Sequence, residues 1–315
     1  AHAPCFHARF DKALGAYLGL AIGDALGATV EFMRPREIAL QYGVHRDIVG
    51  GGWLKLPRGQ VTDDTTMCLA LGDALLKSGP TGLQNFVAHG DETLVRGIAE
   101  AYVGWWRGKP VDCGNTCRRG ILRFLRDGSL SGPYNDGDGG NGGLMRNLPA
   151  VLATLGDDAA FERLAIAQSR ITHHHALSDA AVLGVGRLLR GVLAGDDQAE
   201  LRARSARWVA AEPVFRFSPY RGRATAYVVD TVQTVLHFVG EHEDFEEALI
   251  ATVNQGDDAD TTGALVGMLA GARCGAARLP QRWLRRLQPA TVRAITDQTS
   301  GLLALAQSRE DLAHA

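Results

Sequence analysis

Glycine recurs at every fourth position in two widely separated stretches, first at Gly15, Gly19, Gly23 and Gly27, then at Gly263, Gly267, Gly271 and Gly275. Around the first stripe, Leu14, Tyr17, Leu18, Ala21, Ile22, Ala25 and Leu26 keep the i, i+3, i+4 spacing of a buried helical face. Ala264, Leu265, Met268 and Leu269 interleave the second. A glycine inside a helix costs up to about 1 kcal/mol relative to alanine. Four on one stripe therefore need a compensation, and close helix–helix approach is the physical candidate. Similar spacing serves helix packing in membranes, but Asp24 interrupts the first stretch and the second is short. The expectation is a pair of core helices in a cytoplasmic protein with no direct membrane insertion. The 38 glycines of the 315-residue chain exceed the usual ~7% share, so the ridges matter to how that excess is read.

Helical periodicity runs through most of the remainder. It predicts helices over 66–77, 84–106, 115–125, 161–168, 177–193, 199–211, 224–239, 245–254, 281–287 and 291–305, with few windows alternating like strands. Glycine-rich loops separate them, notably 50–52 and 136–143. No linker or internal repeat divides the chain, so one all-α domain over 1–315 is expected, with residues 1–10 poorly ordered. A net charge of −2 argues against a nucleic-acid binder. Five scattered cysteines suit reduced thiols. A monomer is expected.

Two acidic clusters stand at predicted helix starts. Thr62-Asp63-Asp64-Thr65 precedes one apolar helix, and Asp257-Asp258-Ala259-Asp260-Thr261-Thr262 opens the second glycine-ridged one. Capping explains one side chain per helix, whereas here several carboxylates crowd together. Like charges at that density repel unless a cation or protons relieve them. A shared cation site follows, and an all-oxygen donor set favours Mg²⁺, Mn²⁺ or Ca²⁺. A calcium helix–loop–helix is disfavoured, because position twelve counted from Asp258 is Leu269 and from Asp136 is Asn147. Such ligands can hold two ions at the ~3.5–4 Å separation of dinuclear hydrolases. Asp24 and Glu31 flank the first ridge and are candidates to join; for Asp24, capping or a backbone hydrogen bond is an equal alternative.

Gly19-Leu-Ala-Ile-Gly-Asp-Ala-Leu-Gly27 with Glu31, then Thr62-Asp-Asp-Thr65, then Asp258-Ala-Asp-Thr-Thr-Gly263 resemble, in order and spacing, the ADP-ribosylglycohydrolase family. Further segments, Gly50-Gly-Gly-Trp53, 111–120 and 224–231, resemble the branch of the family that acts on the nitrogenase iron protein. The resemblance implies an all-α fold around two Mn²⁺ or Mg²⁺ ions and hydrolysis of the bond between ADP-ribose and an arginine of a modified protein. It implies Thr62, Asp63, Asp64, Asp258, Asp260 and Thr261 as metal ligands, with Asp260 bridging. Glu31 would hold a water or the distal ribose, and Asp112 is the rival general base, with a helix cap as its plainer reading. Asn115, Gly137, Gly139, Asn141 and Gly142 would meet the substrate, the glycines through backbone N–H groups, and His173 and Tyr227 would line the ADP-ribose pocket. A PII-type signalling protein is an implied partner, through which the protein would associate with membranes.

Three departures from the family pattern bear on this reading. Asp257 stands where glycine is usual, Thr66 where glutamate is, and His173-His174-His175 carries a central histidine where asparagine is. A dinuclear phosphoesterase and a non-catalytic ADP-ribose-binding module are the rival readings; the first usually mixes histidines among its carboxylates, and neither cluster contains one.

Overall fold

The computed structural model describes residues 3–313, with side chains from residue 7 onward. Its helices are α1 (Ala3–Ala28), α2 (Pro35–Tyr42), α3 (Asp63–His89), α4 (Thr93–Arg107), α5 (Asn115–Asp127), α6 (Leu148–Ala153) and α7 (Asp158–Arg170). They continue with α8 (Ala176–Ala194), α9 (Gln198–Ala211), α10 (Val228–Glu241), α11 (Phe245–Val253), α12 (Ala259–Cys274), α13 (Gln281–Leu284) and α14 (Pro289–Ala313). Among the described residues there is no strand; an isolated antiparallel bridge joins Gly51 and Leu56. The fold is all-α, as the periodicity predicts. α1 begins at Ala3, inside the stretch for which poor order is expected; residues 1, 2, 314 and 315 lie outside the described residues. No disulfide joins Cys68, Cys113, Cys117 and Cys274, and no helix among the described residues is long and apolar enough to cross a membrane.

Backbone contacts group the chain into two compact units, where the sequence shows no boundary. One comprises Ala1–Thr65 with Arg187–Ile295, the other Thr66–Gly186 with Thr296–Ala315. Each is therefore assembled from segments distant in sequence.

In the first unit the two glycine ridges face each other, antiparallel. A Cβ placed on Gly19 would lie 2.1 Å from the Gly267 carbonyl oxygen, and one on Gly23 only 1.9 Å from that of Gly263. Gly27 meets Ala259 at 2.0 Å in the same way, and Gly15 meets Gly271 at 2.3 Å. The α1–α12 contact is thus backbone against backbone, which only glycine permits. That approach recovers in dispersion and burial what the glycines cost in helix propensity. All of α12 from Ala259 to Ala272 is buried.

In the second unit two helix boundaries differ from expectation. α3 runs on past Lys77, kinked at Gly79 (φ 70°) before Pro80. The helix predicted over 84–106 is two, broken at Gly90 (φ 66°), after which Asp91 accepts the Thr93 amide at 2.9 Å and restarts the chain as α4. Back in the first unit, the helix expected from Ala224 starts at Val228. Ala224 instead lies ahead of the helix, its carbonyl accepting the Asp258 amide at 2.8 Å.

Candidate active site

The ridge pairing sets the ends of α1 and α12 side by side, and the carboxylates gather there. Asp24 is fully buried one residue after Gly23 and caps α3 from another helix. Its oxygens accept the Thr62 amide at 3.0 Å, the Thr65 amide at 3.2 Å, the Thr62 hydroxyl at 2.8 Å and the Thr65 hydroxyl at 2.6 Å. The Thr62 amide and the first-turn Thr65 amide of α3 are thereby satisfied from α1. The geometry gives Asp24 the capping hydrogen bonds and also sets it among the clustered carboxylates.

At α12, Asp258 occupies the N-cap position, yet its side chain makes no capping hydrogen bond. It turns instead toward Glu31 and Asp260, and these three carboxylates each place an oxygen within 4.8 Å of the others. Asp24, Asp64 and Asp260 form a second triplet under the same limit. Asp260 belongs to both. Thr62 Oγ1 lies 3.1 Å from Asp64 and 3.3 Å from Asp260 as well as against Asp24, but it has one proton to donate. Asp63 is buried but stands in neither triplet.

Electrostatically the cluster is unfinished. Burial pushes the Asp64 carboxyl well above the ordinary range, and the charges of Asp63, Asp24 and Asp258 push it further. Burial raises Asp260 in the same way, followed by Asp64, Asp258, Glu31 and Asp24. Asp24 is pushed up to about 6 by burial, against the opposing effect of its four hydrogen bonds. Asp64 Oδ1 and Asp260 Oδ1 are buried with no hydrogen-bond partner. Buried polar atoms are rarely left so. A hard divalent cation would both neutralise the carboxylates and occupy those oxygens, so the donor set fits one. Both triplets consist of carboxylates alone, with no histidine or cysteine.

Asp257 lies outside both triplets. Its backbone is left-handed (φ 51°), its amide donates to Met33 O at 2.9 Å, and its carboxylate accepts the Ala224 amide at 3.3 Å. This extra acid shapes the turn, and Asp258 is the member of the pair that joins the cluster. Tyr227, nearly half exposed, precedes α10 as its N-cap residue. Trp53 donates its indole N–H to Glu31 Oε2 at 2.8 Å, a contact no local sequence signal announces.

The remaining candidates lie in the second unit. Asp112 is half-buried, raised by that burial, and accepts the amide of its neighbour Cys113 at 2.8 Å. The N-cap of α5 is Gly114, so Asp112 does not cap that helix. Asn115 is exposed at the first position of α5. In the glycine-rich loop, the Gly137 amide is taken by Asn135 Oδ1 at 2.8 Å, Gly139 and Gly142 are buried, and so is Asn141. A Cβ on Gly142 would sit 2.6 Å from the His173 ring and 2.9 Å from Cys117 Sγ, and one on Gly143 2.0 Å from Ser169 Oγ. Those two glycines make room for protein atoms, a packing reason that the sequence reading of ligand access lacks. His173 is buried beneath Gly142, with Nδ1 2.7 Å from Thr172 Oγ1, and is pushed down to about 3 by burial and then by the charges of Arg146 and Arg119. His174 and His175 turn to Gly132 O and the Leu177 amide, so the three histidines do not converge.

Known proteins resemble this chain over most of its length. A family model described as ADP-ribosylglycohydrolase matches residues 7–312. The ADP-ribosyl-[dinitrogen reductase] glycohydrolase of Rhodospirillum rubrum is 51% identical over 296 residues, covering 94% of this chain and 97% of that one. The ADP-ribosylarginine hydrolase Tri1 of Pseudomonas putida (strain GB-1) is 33% identical, covering 88% and 74%. A solved structure described as an ADP-ribosylglycohydrolase-related protein complex superposes with a TM-score of 0.80 at 32% identity, over 95% of this chain and 99% of that one. With a match over nearly its whole length and the acidic motifs drawn into one cluster, the chain belongs to the ADP-ribosylglycohydrolase family.

Proposed function

We propose that the protein is a metal-dependent hydrolase that removes ADP-ribose from an arginine side chain of a modified protein, with the nitrogenase iron protein (dinitrogenase reductase) as acceptor. The observation that carries the reading is the pair of buried carboxylate triplets sharing Asp260, with Asp64 Oδ1 and Asp260 Oδ1 left without protein partners. The names of the Rhodospirillum and Pseudomonas relatives supply the substrate class.

Thr62, Asp63, Asp64, Asp258, Asp260 and Thr261 are the proposed ligands of two Mn²⁺ or Mg²⁺ ions, with Asp260 common to both. Held there, such ions would supply Lewis-acid stabilisation to the ribose hydroxyls and to the attacking water. Asp24 holds Thr62 and the first turn of α3 in place, so the ligands arrive preorganised. In the reaction the C1′–N bond to guanidine breaks as a water oxygen bonds C1′. A carboxylate, Glu31 or Asp112, accepts the proton of that water, and the basic guanidine leaves protonated. General-base assistance of this kind is worth about 10²–10⁴-fold. Burial raises the Asp112 carboxyl above the ordinary range, which favours proton acceptance by it. Asn115, Gly137, Gly139, Asn141, Gly142 and Tyr227 are proposed to contact the nucleotide, and His173 to support the loop from beneath.

The test incubates the protein with mono-ADP-ribosylarginine protein in Mn²⁺ and in chelator. Metal-dependent release of ADP-ribose, lost in Asp258→Asn and Asp260→Asn, is expected. A folded, metal-loaded sample that releases none would overturn the reading, and phosphate release from simple esters would replace it with a phosphoesterase. We further propose a cytoplasmic monomer regulated through a PII-type protein, which would also bring it to membranes. Co-purification with and without ADP checks that partner.

A further inference from the structure

Two segments with left-handed backbone meet at Glu31, and each carries an exposed aromatic residue. Phe32, the residue after Glu31, has φ 65°, and Asp257 opposite it has φ 51°. The two are locked by Phe32 N to Asp257 O at 2.6 Å and Asp257 N to Met33 O at 2.9 Å. A left-handed backbone costs a non-glycine residue about 1–2 kcal/mol, and such strain gathers at functional positions. Its result here is a phenyl ring 64% exposed.

Trp53 arrives by a different route. It follows Gly50, Gly51 and Gly52, all left-handed at φ 72°, 76° and 70°. This loop is clamped to the end of α1: Thr29 Oγ1 donates to Gly50 O at 2.8 Å, and a Cβ on Gly52 would stand 2.6 Å from Ala28 O. Its indole is 50% exposed, and the ring centroids of Trp53 and Phe32 lie 5.3 Å apart, tilted by 51°. Because the indole N–H is spent on Glu31, the ring edge faces the acid and its π-face is left for something else. Leaving two large aromatic residues half or more exposed forgoes part of the about 1.5–3 kcal/mol that full burial of such a side chain brings.

The surroundings define what those faces suit. Glu31, Asp258 and Asp260 stand within 4.8 Å of one another beside them, a field that repels phosphate and attracts cations. A flat cation stacks on an aromatic face and is drawn by its quadrupole. We propose that Phe32 and Trp53 seat the guanidinium of the modified arginine, selecting arginine as acceptor; this rests on the ADP-ribosylarginine reading above. The rings hold the plane of the group that leaves, beside the carboxylates proposed to gather the metals.

The experiment compares wild type with Trp53→Ala, Phe32→Leu and Trp53→Phe, using ADP-ribosylarginine protein, free ADP-ribose, and agmatine as a guanidinium probe. Loss of the indole face is expected to raise KM about 5- to 30-fold, more than it lowers kcat, while the Kd of ADP-ribose moves less than about 2-fold. Phe32→Leu should raise KM less, and Trp53→Phe should recover most of the loss, since it restores a face without the N–H. Agmatine should give saturation-transfer NMR signals with wild type that Trp53→Ala abolishes. Equal agmatine signals in wild type and Trp53→Ala overturn the seat, as does ADP-ribose binding weakened in step with KM, which would make the rings a nucleotide platform. Wild type that binds agmatine through Trp53 yet releases no ADP-ribose would sink the hydrolase reading and leave the seat standing.

Discussion

Each of the two units buries a charge, and they treat it in opposite ways. In the second unit Arg146 is fully buried. Its Nε donates to Gln168 Oε1 at 2.8 Å, and Nη2 to Gln168 O and to Thr172 Oγ1, both at 2.8 Å. Nη1 reaches Cys117 Sγ at 3.6 Å, and the guanidinium lies 4.4 Å over the Tyr102 ring. Every nitrogen has a neutral partner, and none of those partners is a carboxylate. In the first unit the carboxylates repel one another, and two of their oxygens have no partner at all. A buried charge fully surrounded by dipoles is architecture. One left partly bare in a cluster of like charges is a place for a ligand. Burial alone does not separate the two cases; the satisfaction of each atom does.

The strongest way to break this contrast is to part the helices that carry the acids. Gly23→Ala drives a methyl into the backbone of Gly263, where no side chain can yield. Overpacking of that kind costs about 3 kcal/mol or more, and Mn²⁺ binding should fall with it. Denaturant unfolding and calorimetry read both. A variant as stable as wild type would mean that α1 and α12 do not need their close approach.

Next is Asp260→Asn, which keeps the shape of the residue shared by both triplets but removes its charge. Release of ADP-ribose should drop at least ~100-fold, the upper end of what even supporting residues around a metal cost. Unlike Gly23→Ala, it should leave the metal-free fold intact, because it relieves repulsion among buried acids. Undiminished Mn²⁺ stoichiometry in this variant would contradict the shared-ligand geometry. In wild type, Mn²⁺ at about 100 times its Kd should stabilise the fold by about 2.7 kcal/mol, and chelator should remove that increment.

Arg146→Met tests the other half of the contrast. It deletes the buried cation and takes one donor each from Gln168, Thr172 and Cys117, so a loss of about 2–3 kcal/mol is expected, with Mn²⁺ affinity unchanged. If the variant were as stable as wild type, the dipoles around Arg146 would not be the matched shell described above.

The contrast also separates what was legible in the chain from what was not. The ridges and the two acidic clusters could be read because each repeats a local pattern, and a periodic pattern projects onto a helix face. The trans cap could not. Asp24 lies 38 residues before Thr62, and nothing near either residue announces the pairing, so Asp24 stays ambiguous until the helices are placed. Phe32 and Trp53 were illegible for a related reason: a left-handed phenylalanine leaves no trace in composition, and its partner Asp257 comes 225 positions later. The loop over 137–143 carries a second role that its composition does not reveal. Glycines suggest access for a ligand, yet Gly142 and Gly143 accommodate His173 and Ser169. Sequence exposes the need for a small residue without saying what fills the space.

The smallest expected effect concerns His173, where the buried cation of the second unit acts on a neighbour. Its folded pKa is pushed down to about 3, by burial first and then by Arg146 and Arg119, while in the unfolded chain it titrates near the ordinary 6.5. Between those values the unfolded chain binds a proton that the folded chain refuses. The stability His173 allows is therefore complete above pH 6.5 and is drawn down as the pH falls toward 3. One pH unit below the ordinary value the loss is about 1.4 kcal/mol. His173→Gln, which cannot take up that proton, should flatten the pH dependence of unfolding between pH 6.5 and 5 relative to wild type. Because the first unit's carboxylates titrate in both proteins, the difference between the two curves isolates the histidine. Parallel curves would show that His173 becomes charged in the fold after all, and that the dipoles around Arg146 screen its field from the ring 2.7 Å from Thr172.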